Sequence, residues 1–265
     1  MQYGDFVVYR INEGQFNVGV DKKFHPHTPG APFPKGTIFI AANAFVVKTP
    51  QDIIMLDCGL GEEAEGRDIT QLLEDLAKHD IRREDVTKVV FSHLHADHIG
   101  GATYRIGAER RPTFPNATYY AQEGETTTTF SYKAHSATLR EITLETLDDH
   151  GQLVLLSGDG WIGDEIEYQL TGGHTEFHQA IWLHSGGRSI LFGGDVLPQP
   201  SQINRRFLAK YDFDPEGSQT KRAALAKTAW EHGQLILMYH ATQETAAFLT
   251  GYSERAGYTI ELIDL

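Results

Sequence analysis

The sequence predicts an α/β fold, and three observations carry the prediction. Short runs of β-branched and aromatic residues recur along the chain, at residues 6–11, 53–57, 89–91, 189–192 and 235–239. Segments with apolar residues at helical spacing lie between some of them, with Ile69, Leu72, Leu73 and Leu76 the clearest set. The chain has 265 residues, 40% of them hydrophobic, which is enough for one sizeable core, so residues 1–265 read as a single domain.

Taken in order, residues 6–11 form a first strand and residues 12–36 a long connection holding Pro26, Pro29, Pro32 and Pro34. Loops of that length in compact domains often carry function. His25 and His27 fall in it as loop residues within reach of a site's rim. Phe16, Phe24 and Phe33 would supply either the apolar wall of a pocket or a homodimer contact. Residues 37–41 and 44–48 read as two strands, and residues 53–57 as a third after a turn at Gln51-Asp52. Residues 68–79 form a surface helix with one face on a sheet, and residues 80–87 lead into the strand 89–91.

Residues 112–117 read as a loop and 118–121 as a strand. Residues 122–150 break the pattern: a threonine run at 126–129, then Phe130 and Tyr132, then a helix from about Ser136. His135 and His150 read as solvent-facing. Residues 153–156, 160–162 and 166–170 read as strands of a second sheet, and 180–184 as another with His184 on its outer face. The apolar strand over 189–195 ends in Asp195. Asp212, Asp214 and Glu216 cap a helix from Glu216 to His232, which carries Arg222, Leu225 and Trp230. Residues 235–239 are the last clear buried strand, with His240 at its end, and a final helix and strand fill 243–265. No direct repeat is visible.

The chemistry concentrates in His93-Leu94-His95-Ala96-Asp97-His98, directly after a buried strand and just before Gly100-Gly101. In extended backbone, residues two apart share a side, so His93 and His95 face together. Residues 96–98 begin a helical turn that swings Asp97 and His98 to an adjacent position, and the glycines end it and allow close backbone approach. Two pairs of donors side by side suit two metal ions. A lone His-x-His is usually surface chemistry. Three imidazoles and a carboxylate at a buried strand end are harder to explain so, because burying them unpaired costs several kcal/mol.

Composition narrows the function further. Acidic residues number 36 against 23 basic, a formal net charge of −13, so a nucleic-acid partner is not expected and the substrate should be a small molecule. The pairs Arg82-Arg83, Arg110-Arg111 and Arg205-Arg206 read as solvated surface. Cys58 is the one cysteine, so no intramolecular disulfide forms and a reducing compartment is allowed. Cys58 has no neighbouring base to make it a nucleophile. No leader and no apolar run near the ~20 residues of a membrane span are visible, which reads as a cytoplasmic protein without a membrane partner. A chain whose leader had been removed would read the same. No Gly-x-Ser-x-Gly element is present.

The His93–His98 run resembles the His-x-His-x-Asp-His signature of the metallo-β-lactamase-fold hydrolases, and the resemblance extends over most of the chain. Asp57-Cys58-Gly59 is similar to that superfamily's first motif, whose Asp orients its neighbours. Thr171-Gly172-Gly173-His174-Thr175-Glu176-Phe177-His178 is similar to its Gly-His-Thr-x-Gly-His element, with Phe177 in place of the second glycine. Gly194-Asp195 is similar to its Gly-Asp motif.

The resemblance implies a four-layer αββα sandwich of the metallo-β-lactamase type, with residues 122–150 inserted over the active site. It implies one metal on His93, His95 and His174, a second on Asp97, His98 and His240, and Asp195 bridging; His178 would steady its loop without touching metal. Two divalent ions would activate a bridging hydroxide, with Asp97 orienting it and passing its proton to the leaving group. The nitrogen-rich set suits zinc, with iron, manganese or cobalt as alternatives. The likeness is nearest to the quorum-quenching lactonase branch, implying a lactone or ester substrate such as an acyl homoserine lactone. A phosphotriesterase or phosphodiesterase, or a non-hydrolytic metal-binding or redox protein of the same fold, are the alternatives. One departure stands out: where the best-known lactonases carry a tyrosine shortly after the bridging Asp, this chain has Pro198.

Overall fold

The computed structural model describes residues 1–63, 67–129 and 134–265. Phe130, Tyr132 and the side chain of His135 lie outside the described residues. A short β1 (Gln2–Tyr3) pairs back on β2 (Phe6–Val18). β2 runs well past residue 11, across a bulge between Asn12 and Gly14, because β4 (Ile38–Lys48) supplies a partner along its whole length, from Val7 opposite Lys48 to Val18 opposite Ile38. The expected long connection therefore shrinks to a rim that contains β3 (Phe24–Pro26). β4 is one strand where the sequence suggests two. Asn43 does not turn the chain; it is buried, and its amide donates to the carbonyls of Tyr239 and Ala241 at 2.7 and 2.9 Å.

Next come β5 (Ile53–Leu56), α1 (Thr70–Ala77), β6 (Lys88–Val90) and the single turn α2 (Ala96–Ile99). The hairpin β7 (Thr103–Ile106) and β8 (Glu109–Pro112) has no strong sequence signal. It is followed by β9 (Thr118–Gln122), α3 (Glu123–Thr127), α4 (Ala134–Asp149) and β10 (Leu153–Leu156). β10 corrects the expectation that residues 153–156 open a second sheet. It runs parallel to β9, with α4 as the crossover, and a βαβ unit returns its second strand to the sheet it left. The first sheet is ordered β1-β2-β4-β5-β6-β9-β10, with β3 on β2.

The second sheet runs in chain order through β11 (Gly160–Ile162), β12 (Ile166–Leu170), β13 (Gln179–Ser185), β14 (Arg188–Phe192), β15 (Leu235–Leu237), β16 (Ala246–Ser253) and β17 (Gly257–Ile263). α5 (Pro215–Glu231) connects the parallel pair β14 and β15, and Asp214 caps it by accepting from the Gly217 amide at 3.0 Å. The helix expected after residue 243 is absent among the described residues; β16 and β17 form a hairpin there. Ala246-Ala247-Phe248-Leu249 tolerates either state locally. The open edge of buried β15 decides it, since its backbone groups need a partner.

Side-chain alternation sorts the second sheet into two faces. Ile181, Leu183, Ile190, Phe192, Leu235 and Leu237 turn inward and meet Phe45, Val47 and Ile54 of the first sheet. Ala180, Trp182, Leu191 and Ile236 turn outward under Leu225, Ala226 and Ala229 of α5. Leu72 and Leu76 of α1 pack with the first sheet's core. The order helix, sheet, sheet, helix is the αββα sandwich, and His184 lies on the outward face, paired with Glu167 at 3.0 Å. Among the described residues no helix is long and apolar enough to cross a membrane.

The loop after β5 positions the turn α2, which carries Asp97 and His98. A side chain on Gly100 would collide with the carbonyl of Leu60, so α2 and this loop touch backbone to backbone. Glu13 holds the loop from below: it is 3% exposed, and its carboxylate accepts from the amides of Leu60 and Gly61. Burial raises its pKa to about 7, against those donors, which lower it. A carboxyl raised in the folded state stabilises fully below its unfolded pKa, and that contribution is lost as pH climbs through the folded value. The window is therefore pH 4.5 to 7, and the loss is about 3 kcal/mol. Glu13→Gln should gain about that much on the wild type between pH 4.5 and 7.5, measured by urea unfolding; a constant difference would disprove it.

Candidate metal centre

Four loops at one end of the sandwich, after β6, β12, β14 and β15, bring the sequence-derived donors together. His95 is extended (φ −67°, ψ 152°) and begins α2, which turns Asp97 and His98 beside it. His93 Nε2 and His95 Nδ1 are 2.9 Å apart, and His174 Nε2 is 3.0 Å from the same His95 nitrogen. In a second nest, His98 Nε2 and His240 Nε2 lie 3.6 and 3.5 Å from Asp97 Oδ2. Asp195 stands between the nests. Its Oδ1 is 3.2 Å from His98 and 3.1 Å from His240, and its Oδ2 is 3.2 Å from His174.

Four of the five imidazoles are oriented from behind. His98 Nδ1 donates to Asp57 at 2.7 Å, His174 Nδ1 to Asp212 at 2.8 Å, and His240 Nδ1 to the carbonyl of Ala41 at 2.7 Å. Ser92 gives its hydroxyl proton to Asp57 at 2.7 Å and so accepts from His93 Nδ1 at 3.1 Å. These partners fix the tautomers of the neutral rings, in which Nε2 of His93, His98, His174 and His240 carries a lone pair aimed into the site. Lone pairs 3 Å apart repel unless something positive lies between them. Two atoms facing the site, His98 Nε2 and Asp195 Oδ1, are buried with no hydrogen-bond partner. The residues present therefore fit divalent cations.

His178 stays out of the nests, as the sequence implies. Its Nε2 accepts from the Asp195 amide at 3.1 Å, so Nδ1 carries the proton and donates to Thr171 at 2.6 Å. Gly194 makes the turn, with φ +48° and no room for a side chain against His178 and Ser92. Cys58 is buried, and burial raises its thiol well above the ordinary range.

The protons follow from the charges. Burial and the neighbouring imidazoles of His98, His95 and His174 hold His93 neutral, with its pKa well below the usual value. Burial also opposes charge on His98 and His240. The carboxylates outweigh it: Asp195, Asp97 and Asp57 raise His98, and Asp195 and Asp97 raise His240.

Several supporting residues carry no legible signal. Asp212 sits two residues before the cap Asp214 and reads as part of it, yet its partner is His174. Glu125 is buried in the residues 122–150. Its carboxylate accepts from the amide of Leu94, between two donors, at 3.3 Å, and from Thr175 and the Phe177 amide, beyond His174, at 2.5 and 3.1 Å. One carboxylate thus ties two donor loops together. Arg222, buried in α5, clamps the segment after Asp195 by donating to the carbonyls of Val196 and Phe207 at 2.7 and 3.0 Å. The arginine pairs face carboxylates: Arg82 binds Asp85, Arg110 Glu62, Arg111 Glu109 and Arg206 Glu216.

A cavity of about 970 Å³ opens over the nests, lined by His95, Asp97, His174, Asp195 and His240 at its floor. Ser136 of α4 lines it too, so the segment 122–150 contributes to the wall. His25 is at its rim, paired with Asp21 at 2.8 Å. His27 instead stacks on Phe33, with ring centroids 4.9 Å apart. Phe16 is buried, and Phe24 packs edge-on against it and reaches the cavity.

A sequence profile described as the metallo-beta-lactamase superfamily matches residues 38–229, well over half of the chain. The chain belongs to the metallo-beta-lactamase superfamily. Together with the donor geometry, membership makes it a metal-dependent hydrolase. His240 falls outside the matched span, and the structure sets it 3.1 Å from Asp195.

Solved structures agree in fold. A probable metal-dependent hydrolase from Staphylococcus aureus is 21% identical with a TM-score of 0.78, covering 100% of this chain and 99% of its own. AidC, a dizinc quorum-quenching lactonase with a product bound, is 18% identical with a TM-score of 0.78, covering 100% and 97%. The hydrolase AbOPH of the beta-lactamase superfamily is 20% identical with a TM-score of 0.79, covering 100% and 97%. No curated protein matches significantly.

Because the carboxylates favour protons on His98 and His240, cations must displace them. Zinc added to metal-free protein near neutral pH should release protons, and its affinity should fall as pH falls. Calorimetry in buffers of different ionisation enthalpy measures the release; uptake identical in all buffers would contradict the argument.

Proposed function

We propose that the chain hydrolyses a lactone or ester at a pair of divalent cations, zinc foremost, with His93, His95 and His174 holding one, Asp97, His98 and His240 the other, and Asp195 between them. Asp195 carries the reading, because its two oxygens face different nests. Five imidazoles against two carboxylates form a donor set of the kind zinc takes. Such a pair of ions supplies Lewis acidity and makes water acidic enough to attack a carbonyl near neutral pH.

The chain's own residues do the rest. Asp97 borders the cavity, where it can orient the attacking water and hand its proton to the leaving oxygen. The Tyr239 hydroxyl donates to the Asp97 carbonyl at 2.5 Å and fixes that turn. Tyr211 lines the cavity with its ring centroid 6.0 Å from that of His174, while Pro198 occupies the position nearer Asp195 in sequence. Burial and the carboxylates of Asp195 and Asp212 raise the Tyr211 pKa, so its hydroxyl stays protonated. A protonated hydroxyl there can donate to the oxyanion that develops at the carbonyl. The apolar wall of Phe24, Ile38 and Ile40 suits the carbon skeleton of a lactone. The lactonase neighbour AidC shares the fold and is consistent with this substrate class.

Metal analysis should find about two ions per chain, and turnover of acyl homoserine lactones or aryl esters should disappear in His95→Ala. Phosphotriester turnover without lactone or ester turnover would replace the reading, and bound metal with no hydrolysis would end it. Tyr211→Phe should keep the metal content and lower kcat by about a hundredfold. An unchanged kcat would remove Tyr211 from the mechanism.

A further inference from the structure

Outside the metal-facing residues, the lining of the cavity is net positive, opposite in sign to the chain. The chain as a whole has net charge −13. Apart from the metal-facing residues, the formally charged groups lining the cavity are Asp21, Lys22, Lys23 and Lys210, with His25 beside them. Three of the four are cationic, and the fourth, Asp21, is held by His25 at 2.8 Å. Among the described residues, neither Lys23 nor Lys210 is in an ion pair with a carboxylate. These lysines come from separate parts of the chain, Lys22 and Lys23 from the rim between β2 and β3 and Lys210 from the segment before α5. Apolar side chains share the lining: Val18, Phe24, Ile38 and Ile40 face the same cavity.

A cleft with low-dielectric walls focuses the field of the charges around it, and cations there raise the local concentration of anions. Some basic side chains elsewhere lie on neighbouring carboxylates, as Arg82, Arg110, Arg111 and Arg206 do. Lys23 and Lys210 instead line the cavity that holds the metal-facing donors, without a carboxylate partner among the described residues. We propose that the substrate bears an anionic group, carboxylate or phosphate, held by Lys23 and Lys210 while its ester or lactone carbonyl lies at the cations. This rests on the hydrolase reading above and narrows it: a neutral lactone would use the apolar wall and leave the lysines idle.

The test compares a matched pair of esters on the metal-loaded protein, 4-acetoxybenzoate and its uncharged methyl ester, with 4-acetoxyphenyl phosphate as the phosphate-bearing arm. The ratio of kcat/KM, anionic over neutral, should fall about fivefold to tenfold in Lys23→Gln/Lys210→Gln, and should fall with added salt in the wild type. Using the ratio cancels the intrinsic reactivities of the esters. Whichever anionic arm shows the larger fall identifies the head group. Equal ratios in wild type and variant, for both arms, overturn the proposal. If no ester is hydrolysed, the hydrolase reading has failed instead, and binding still decides the lysines. Benzenesulfonate, a poor metal ligand, should bind the wild type more tightly than the variant in a calorimetric titration, and equal binding overturns the proposal.

Discussion

Electrostatic repulsion among buried donors is the constraint on which the rest of the structure depends. Five imidazoles and two carboxylates are drawn into a space where neighbouring donor atoms lie about 3 Å apart. Among the described residues neither His98 Nε2 nor Asp195 Oδ1 makes a hydrogen bond, although the two lie 3.2 Å apart. A group of this kind is costly to hold together unless positive charge fills the middle. The fold bears that cost through a ring of rigid partners: Asp57 behind His98, Asp212 behind His174, Ala41 behind His240 and Ser92 behind His93. Each uses up a ring nitrogen that could otherwise have turned inward with a proton.

The same ring joins the two sheets. His240 and Tyr239 follow β15 in the second sheet, yet they bond to Ala41 and Asn43 of β4 in the first. Asp57 follows β5 of the first sheet and holds His98 against Asp195, which follows β14 of the second. Glu125 then fastens the residues 122–150 to both donor loops. Packing of the sandwich and preparation of the site are therefore one set of interactions.

The donors were legible in the sequence because they sit at strand ends in recognisable short motifs, and the apolar, β-branched runs at 89–91, 189–192 and 235–239 announced the buried strands. What could not be read depended on partners distant in sequence. β4 looked like two strands because nothing near Asn43 shows that carbonyls almost two hundred residues away will satisfy its amide. Residues 153–156 looked like the start of a second sheet because their parallel partner, β9, lies across a helix. Residues 246–249 looked helical because local preference did not include the open edge of β15. Asp212 was hidden by its neighbour Asp214, and Glu125 and Tyr211 lie where composition has no periodicity to follow.

The parallel pairing of β14 with β15 has a consequence for biosynthesis. It sets Asp195 beside His240 only after α5 has been made and folded back, since the helix connects the two strands. A nascent chain emerging from the ribosome with His93 through Asp195 already exposed owns six of the seven donors but lacks His240, which completes the second nest. Completion of the second nest is thus confined to a late stage of translation or after it, and a truncated polypeptide would present an acidic, imidazole-rich hollow with one wall missing.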